Sequence, residues 1–380
     1  MRPNIGAVRQ AEKPSNSPAL QRRLAAPELL RRRRVARSLI VWFARNSRDL
    51  PWRRTHDPYA IWISEIMLQQ TQVKTVIPYF ERWMRQLPTL AAFARARPQK
   101  VLKLWEGLGY YSRVRHAQAA AQVIMRRHGG RFPRNFDDIL ALPGIGRYTA
   151  GAISSIAFNQ PAPILDGNVI RVLSRIFGVE GNPRDKQTNA TLWQLARDLV
   201  SIDPARCSDL NQSLMELGAL VCTPRQMKCA VCPVRKFCFA LREDRLAEFP
   251  MRPPRAPATE RRFMAFVARK QNRFLVRQRL GGAVNAHLWE FPNVEIAVKE
   301  EKDGKDNKHR AFQIAQARPI CRIRHSITRH RILLEAYHAR AAGETPGVWK
   351  TIPQLKHLPF VSAHRKILAI LARDAFMAVH

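Results

Sequence analysis

Four cysteines crowd one short stretch of this chain, as Cys222-x6-Cys229-x2-Cys232-x5-Cys238. Four thiolates so placed can close around one metal centre. Zinc usually takes two short Cys pairs, and only the middle pair here is a C-x2-C. The wide outer spacings therefore favour a bulkier iron-sulfur cube, with four metal-free structural cysteines as the alternative. Lys228, Arg235 and Lys236 sit among them and give the loop positive charge to set against phosphate. Two carboxylates also stand out. In Ile61 to Leu68 only Ser64 and Glu65 are polar. Partial desolvation would let Glu65 hold a proton near neutral pH, as a general acid requires, whereas an ordinary surface-helix glutamate is the plainer reading. Asp166 precedes a helical run in Ile164-Leu165-Asp166-Gly167-Asn168-Val169 and by itself reads as its N-cap.

A further constellation is Leu142-Pro143-Gly144-Ile145-Gly146-Arg147-Tyr148. Gly144 and Gly146 permit a sharp turn whose backbone N–H groups face outward at the start of the next helix, a nest suited to a DNA phosphate. Gly-x-Gly alone also fits an ordinary turn. The proline before it and the small residues Thr149 to Ala152 after it make the pattern that of a helix-hairpin-helix.

These groups need a scaffold, and three-and-four apolar spacing predicts helices over 61–84, 99–105, 112–127, 146–158, 169–177, 188–202 and 210–220. A helical domain over 38–248, with the cysteine loop at 222–238, follows. Residues 249–260 hold four prolines and read as an extended linker. Beyond it, 262–269, 274–277 and 332–338 read as strands and 363–375 as a helix, so 261–380 forms a second, α/β domain. Residues 300–310 are charged enough to be a solvated loop. Residues 1–37 carry ten basic residues against Glu12 and Glu28 and read as a disordered basic arm.

Over its 380 residues the chain has 65 Lys and Arg against 29 Asp and Glu, a net charge of +36. Such an excess repels itself unless an anionic partner offsets it, which makes nucleic acid the leading partner. No run of 18 apolar residues is present to span a membrane. The clustered cysteines suit a reducing compartment.

The helix-hairpin-helix, an aspartate about 20 residues later and a four-Cys loop resemble the base-excision DNA glycosylases related to endonuclease III. Leu50-Pro51-Trp52-Arg53, Ser64 to Thr71 (SEIMLQQT) and Gly107-Leu108-Gly109-Tyr110-Tyr111 further resemble the MutY family of adenine DNA glycosylases. Leu288 to Pro292 (LWEFP) is similar to that family's Nudix-like C-terminal domain. The expected fold is thus mainly α, a helix-hairpin-helix glycosylase with an iron-sulfur loop and a C-terminal α/β Nudix-like domain. Endonuclease III enzymes place a lysine where this chain has Tyr148, and that amine forms a Schiff base before strand cleavage. The resemblance therefore implies a monofunctional enzyme that leaves an abasic site.

What else the resemblance implies is specific. The substrate is duplex DNA with adenine opposite 8-oxoguanine or guanine, and the adenine is flipped out of the stack. Glu65 protonates the departing base and an ionised Asp166 stabilises the sugar cation. Asn168 and Tyr148 support Asp166, and Glu216 orients the adenine. Trp52, Arg53 and Leu68 line the base pocket, though Trp52 and Leu68 are also plain core candidates and Arg53 also suits a phosphate contact. Gln70 and Tyr110 fill the gap around the orphaned guanine, with core packing the alternative for Tyr110. Cys222, Cys229, Cys232 and Cys238 hold a [4Fe-4S] cluster. In the lesion reader the family commonly has Phe-Ser-His where this chain has Ile327-Thr328-Arg329, so Thr328 keeps a hydroxyl but the aromatic and the histidine are lost. Leu280 to Glu290 offers one acid, too few for a Nudix hydrolase metal box. A monomer in the bacterial cytoplasm, associated with the nucleoid, is expected. The rival readings are a pyrimidine glycosylase like endonuclease III, opposed by Tyr148, and a non-catalytic iron-sulfur DNA sensor, which would need neither carboxylate.

Overall fold

The computed structural model describes residues 26–254, 257–296, 312–327, 329–343 and 345–377. In chain order its helices are α1 (Ala26–Asn46), α2 (Pro58–Leu68), α3 (Val73–Gln86), α4 (Leu90–Arg95), α5 (Pro98–Leu104), α6 (Ser112–Arg127), α7 (Phe136–Leu140), α8 (Arg147–Ala152), α9 (Gly167–Phe177), α10 (Lys186–Ile202), α11 (Cys207–Leu220), α12 (Phe239–Arg242), α13 (Ile352–Lys356) and α14 (Ser362–Met377). The strands are β1 (Thr259–Lys270), β2 (Arg273–Gln278), β3 (Trp289–Glu290), β4 (Asn293–Ile296), β5 (Phe312–Ile314), β6 (Cys321–Ile327), β7 (His330–Ala341) and β8 (Val348–Thr351). The chain divides into two compact units. One joins the segment ending at Arg48 to Asn159–Arg252, and the other joins Asp49–Phe158 to Pro253–His380.

In the first unit, α1 corrects the expected boundary of the arm. Residues 26–37 are helical, with Arg32, Val35, Ala36, Leu39, Ile40 and Phe43 on its buried face. This three-and-four spacing places the face against α10 and α11, so the arginine run lies on an amphipathic helix. Arg32 is tolerated inside because Glu28, at 2.8 Å, and Asp198 neutralise it. Residues 1–25 lie outside the described residues. Helix α9 is capped by Asp166 and ends at Gly178, whose φ of +67° suits a glycine terminator.

In the second unit α2 is buried on every side from Tyr59 to Met67, as expected of a helix that is apolar all round. Asp57 caps its start, accepting from the Tyr59 and Ala60 N–H groups, and Pro58 follows at the position where its missing N–H costs nothing. Trp62 packs edge-on to Phe132 at 5.5 Å and Trp83 edge-on to Phe93 at 5.1 Å. The continuous helix expected over 61–84 is broken between α2 and α3, where the polar Gln69-Gln70-Thr71-Gln72 cannot extend an apolar face and Gln70 turns at φ +58°.

Among the described residues the C-terminal part of this unit forms an eight-stranded sheet with α13 and α14. Strands β1 and β7 pair in parallel from Thr259↔His330 to Ala268↔Ala339. The antiparallel partners are β2 and β4 on β1, β5 and β6 on β7, and β3 and β8 on β2. Val267, Val276, Phe291 and Leu334 pack with Ile367 and Leu371 of α14 in one core. The linker expected over 249–260 is shorter at both ends. Phe249 is buried in the first unit, and Thr259 and Glu260 already belong to β1. Leu288 and Val361 of the sheet domain join the core of the helical segment. Buried Glu106 accepts from the Phe360 N–H at 2.7 Å and from Lys103 at 2.8 Å. Among the described residues no helix is long and apolar enough to cross a membrane.

Candidate functional site

Glu65 sits on the last turns of α2 and is 4% exposed. The Tyr148 hydroxyl, on α8 just after the hairpin, donates to Glu65 Oε2 at 2.5 Å. That partnership, between residues 83 positions apart, is not legible in the sequence. The hairpin runs from α7, capped by Asn135, to α8. Gly144 is required twice over: its φ is +73°, and a Cβ there would lie 2.4 Å from the Cβ of His116. Gly146 is exposed with open space around it and an extended backbone that other residues adopt.

Gln70 and Tyr110 are both exposed and both left-handed, at φ +58° and +46°. Non-glycine residues held this way cost about 1–3 kcal/mol each and persist where the surroundings over-determine them. The exposure of Tyr110, 45%, removes core packing as its role. Trp52 is 6% exposed and edge-on to Phe80, and Leu68 packs against the same core. Arg53 is half-buried on the short turn Pro51–Arg53.

In the first unit Asp166 keeps the capping role suggested by its position. Its Oδ1 accepts from Asn168 N at 3.0 Å and Val169 N at 2.7 Å, and its Oδ2 from Asn168 Nδ2 at 3.0 Å. Burial pushes its carboxyl above the ordinary range, opposed by these bonds and by the Arg171 guanidinium. Asn168 is held in turn, its Oδ1 accepting from Arg171 Nη2 at 2.8 Å. Arg171 also donates to Gly218 O and Cys222 O, each at 2.7 Å, so a line of bonds joins the cysteine loop to Asp166. Gly218 permits this approach of α11, for a Cβ there would lie 2.6 Å from that of Asn168. Glu216, 1% exposed, is engaged through both oxygens by Arg48, whose N, Nε and Nη2 donate at 2.9, 2.8 and 2.6 Å.

Cys222, Cys229, Cys232 and Cys238 line one pocket together with Arg175 and Leu217. Among the described residues no three His, Cys, Asp or Glu side chains converge closely enough to hold a metal ion. Arg175 is 2% exposed, and its guanidinium donates to Phe249 O at 3.0 Å, Thr223 O at 2.9 Å and Cys222 Sγ at 3.4 Å. A buried cation facing a sulfur fits an anionic thiolate centre. Burial pushes the Cys229 and Cys238 thiols up and Cys232 to about 12, so coordination is what would hold them ionised.

In the sheet domain Arg329 is exposed at the β6–β7 turn, and Thr328 lies outside the described residues. Arg322 is tied to Glu335 at 2.7 Å, and Glu290 to Arg277 at 2.9 Å and to Arg279. The sequence reading missed Arg48, Arg113, Arg171 and Arg175. The four-residue spacing of the last two on an otherwise apolar helix was the available signal.

Two family models match the chain, the helix-hairpin-helix "HhH-GPD superfamily base excision DNA repair protein" over residues 63–198 and the "NUDIX domain" over 264–369. The adenine DNA glycosylase of Rattus norvegicus is 47% identical over 57% of this chain, which spans only 44% of that longer protein. That of Buchnera aphidicola from Schizaphis graminum is 35% identical, over 72% of this chain and 81% of its own length. A solved thermostable thymine-DNA glycosylase is 31% identical with a TM-score of 0.52, covering 58% of this chain and all of its own. The mainly helical fold and the Nudix-like domain agree with the expectation from the sequence.

Proposed function

This chain belongs to the MutY family of adenine DNA glycosylases, and on that premise we propose that it hydrolyses the N-glycosidic bond of adenine mispaired with 8-oxoguanine or guanine in duplex DNA. The observation that carries the reading is the buried Glu65 bonded to the Tyr148 hydroxyl at the hairpin. The Tyr148 hydroxyl donates to Oε2 and orients the Glu65 carboxyl, which delivers a proton to the flipped base. Protonation turns adenine into a neutral leaving group and the sugar takes on cationic character. Asp166, held by Asn168 and two backbone N–H groups, stabilises that cation when ionised. Glu216, bonded to Arg48, orients the adenine, and Trp52, Arg53 and Leu68 line the base pocket. Tyr148 has no amine for a Schiff base, which supports a monofunctional reaction ending at an abasic site. Gln70 and Tyr110, exposed and pre-set, occupy the gap left by the base. Backbone N–H groups beside Gly144 and Gly146 take a phosphate.

Cys222, Cys229, Cys232 and Cys238 would hold a [4Fe-4S] cluster, which fixes the loop and performs no step on the base. Iron and acid-labile sulfide in the purified chain support it, and zinc without iron overturns it. The C-terminal domain reads the oxidised guanine, with Thr328 and Arg329 at the lesion edge, and the chain works as a monomer. The deciding experiment incubates it with duplexes carrying adenine opposite 8-oxoguanine, guanine or thymine, then treats them with hot alkali. Alkali-labile sites at the first two support the proposal. No such site refutes it, and cleavage before alkali refutes the monofunctional step.

A further inference from the structure

Arg113 opens α6 and directs its guanidinium at backbone rather than at a carboxylate. Its Nη1 donates to Ile66 O and Gln69 O at 2.6 Å each, its Nη2 to Leu108 O at 3.2 Å and Gly109 O at 3.1 Å, and its Nε to Tyr110 O at 3.4 Å. A guanidinium has five N–H donors in a rigid fork, and here all five are spent. The acceptors belong to two segments far apart in the chain, the end of α2 leading into Gln70 and the loop ending at Tyr110. The guanidinium also lies over the Trp105 ring at 5.3 Å and the Tyr110 ring at 5.4 Å. Burial lowers its pKa to about 10, so it still carries its charge at neutral pH.

We propose that Arg113 is a positioning residue that clamps the Gln70 and Tyr110 segments into one rigid wedge, so that both enter the duplex together when the adenine leaves it. Carbonyl oxygens at the end of α2 lack partners within the helix, and the guanidinium supplies them. It thereby stops the helix at Leu68, two residues before the left-handed Gln70. On the other side it fixes three successive carbonyls of a loop whose glycines, Gly107 and Gly109, both have positive φ and would otherwise leave it free to move. Lysine in this place has three donors on a flexible stem and cannot hold both segments. The proposal rests on the reading that Gln70 and Tyr110 occupy the gap.

The test is a double-mutant cycle with Arg113→Lys, Tyr110→Ala, Gln70→Ala and the doubles, using a duplex with 2-aminopurine at the adenine position and single-turnover excision of adenine. Arg113→Lys is expected to weaken the flipping fluorescence and slow excision about ten- to a hundredfold, as a misplacement of the order of 1 Å can. Adding it to Tyr110→Ala should cost little more, because the ring it positions is already gone. Normal flipping in Gln70→Ala and Tyr110→Ala would overturn the gap reading. Loss in those two with a normal Arg113→Lys, or full additivity in the cycle, would overturn the clamp alone. Amide hydrogen exchange of the unmodified chain makes the test independent of variant folding. Segments 66–72 and 107–113 opening with the same free energy supports the clamp, and their opening independently refutes it.

Discussion

Replacing Asp166 by asparagine separates the two tasks the structure gives this side chain. The amide oxygen can keep both bonds now made by Oδ1, to Asn168 N at 3.0 Å and Val169 N at 2.7 Å. The amide nitrogen then faces Asn168 Nδ2, donor against donor, where Oδ2 now accepts at 3.0 Å. Asn168 cannot turn its oxygen round without abandoning Arg171. The cost is one hydrogen bond, about 0.5–1.5 kcal/mol, partly offset because a buried charge is removed. Asp166→Ala loses the cap as well, a further 0.5–2 kcal/mol or about that. Catalysis should fail in both, about 10²–10³-fold in single-turnover excision, since neither can stabilise a cation. Because burial raises the Asp166 pKa, the folded carboxyl holds its proton more tightly than the unfolded one. Its contribution to stability is therefore greatest below the ordinary carboxylate value and is lost as pH rises through the folded one. Excision runs the other way, falling as pH drops through the same value. Denaturant titration and rates measured across pH on the three proteins decide the matter. A wild-type rate in Asp166→Asn would refute the catalytic role, and equal destabilisation by Asn and Ala would refute the capping geometry.

Tyr148→Phe removes the 2.5 Å bond to Glu65, and excision should slow by about ten- to a hundredfold, the value of a bond to the carboxylate charge that develops as the proton leaves. Unchanged single-turnover kinetics would count against that partnership. Gly218→Ala drives a Cβ to 2.6 Å from that of Asn168. Overpacking of this kind costs about 1–3 kcal/mol, and an unshifted denaturation midpoint would show that α11 can yield there. Glu106→Ala leaves the Phe360 N–H without its acceptor and Lys103 with only the Leu358 carbonyl. A loss of about 1–3 kcal/mol is expected, read as earlier proteolysis at the boundary of the sheet domain, and resistance equal to wild type would contradict it.

The sequence by itself determined the class of fold and marked the candidate groups for the chemistry. Glu65 was legible because a carboxylate inside an apolar run is conspicuous, the four cysteines because thiols at such spacing have few uses, and the strands because their residues are β-branched and aromatic. Those are local properties, written in neighbouring residues. The tertiary structure alone decided which partner each group meets. Tyr148 and Glu65 are 83 positions apart, and Arg48 and Glu216 are 168 apart, yet they bond directly. Arg113 spends its donors, and Arg171 and Arg175 most of theirs, on backbone carbonyl oxygens, which every residue carries, so no pattern of side chains announces them. The basic segment 26–37 shows the converse. Its charge suggested a free arm, but burial of Val35, Leu39 and Ile40 outweighs four arginines once α10 and α11 supply a face to cover.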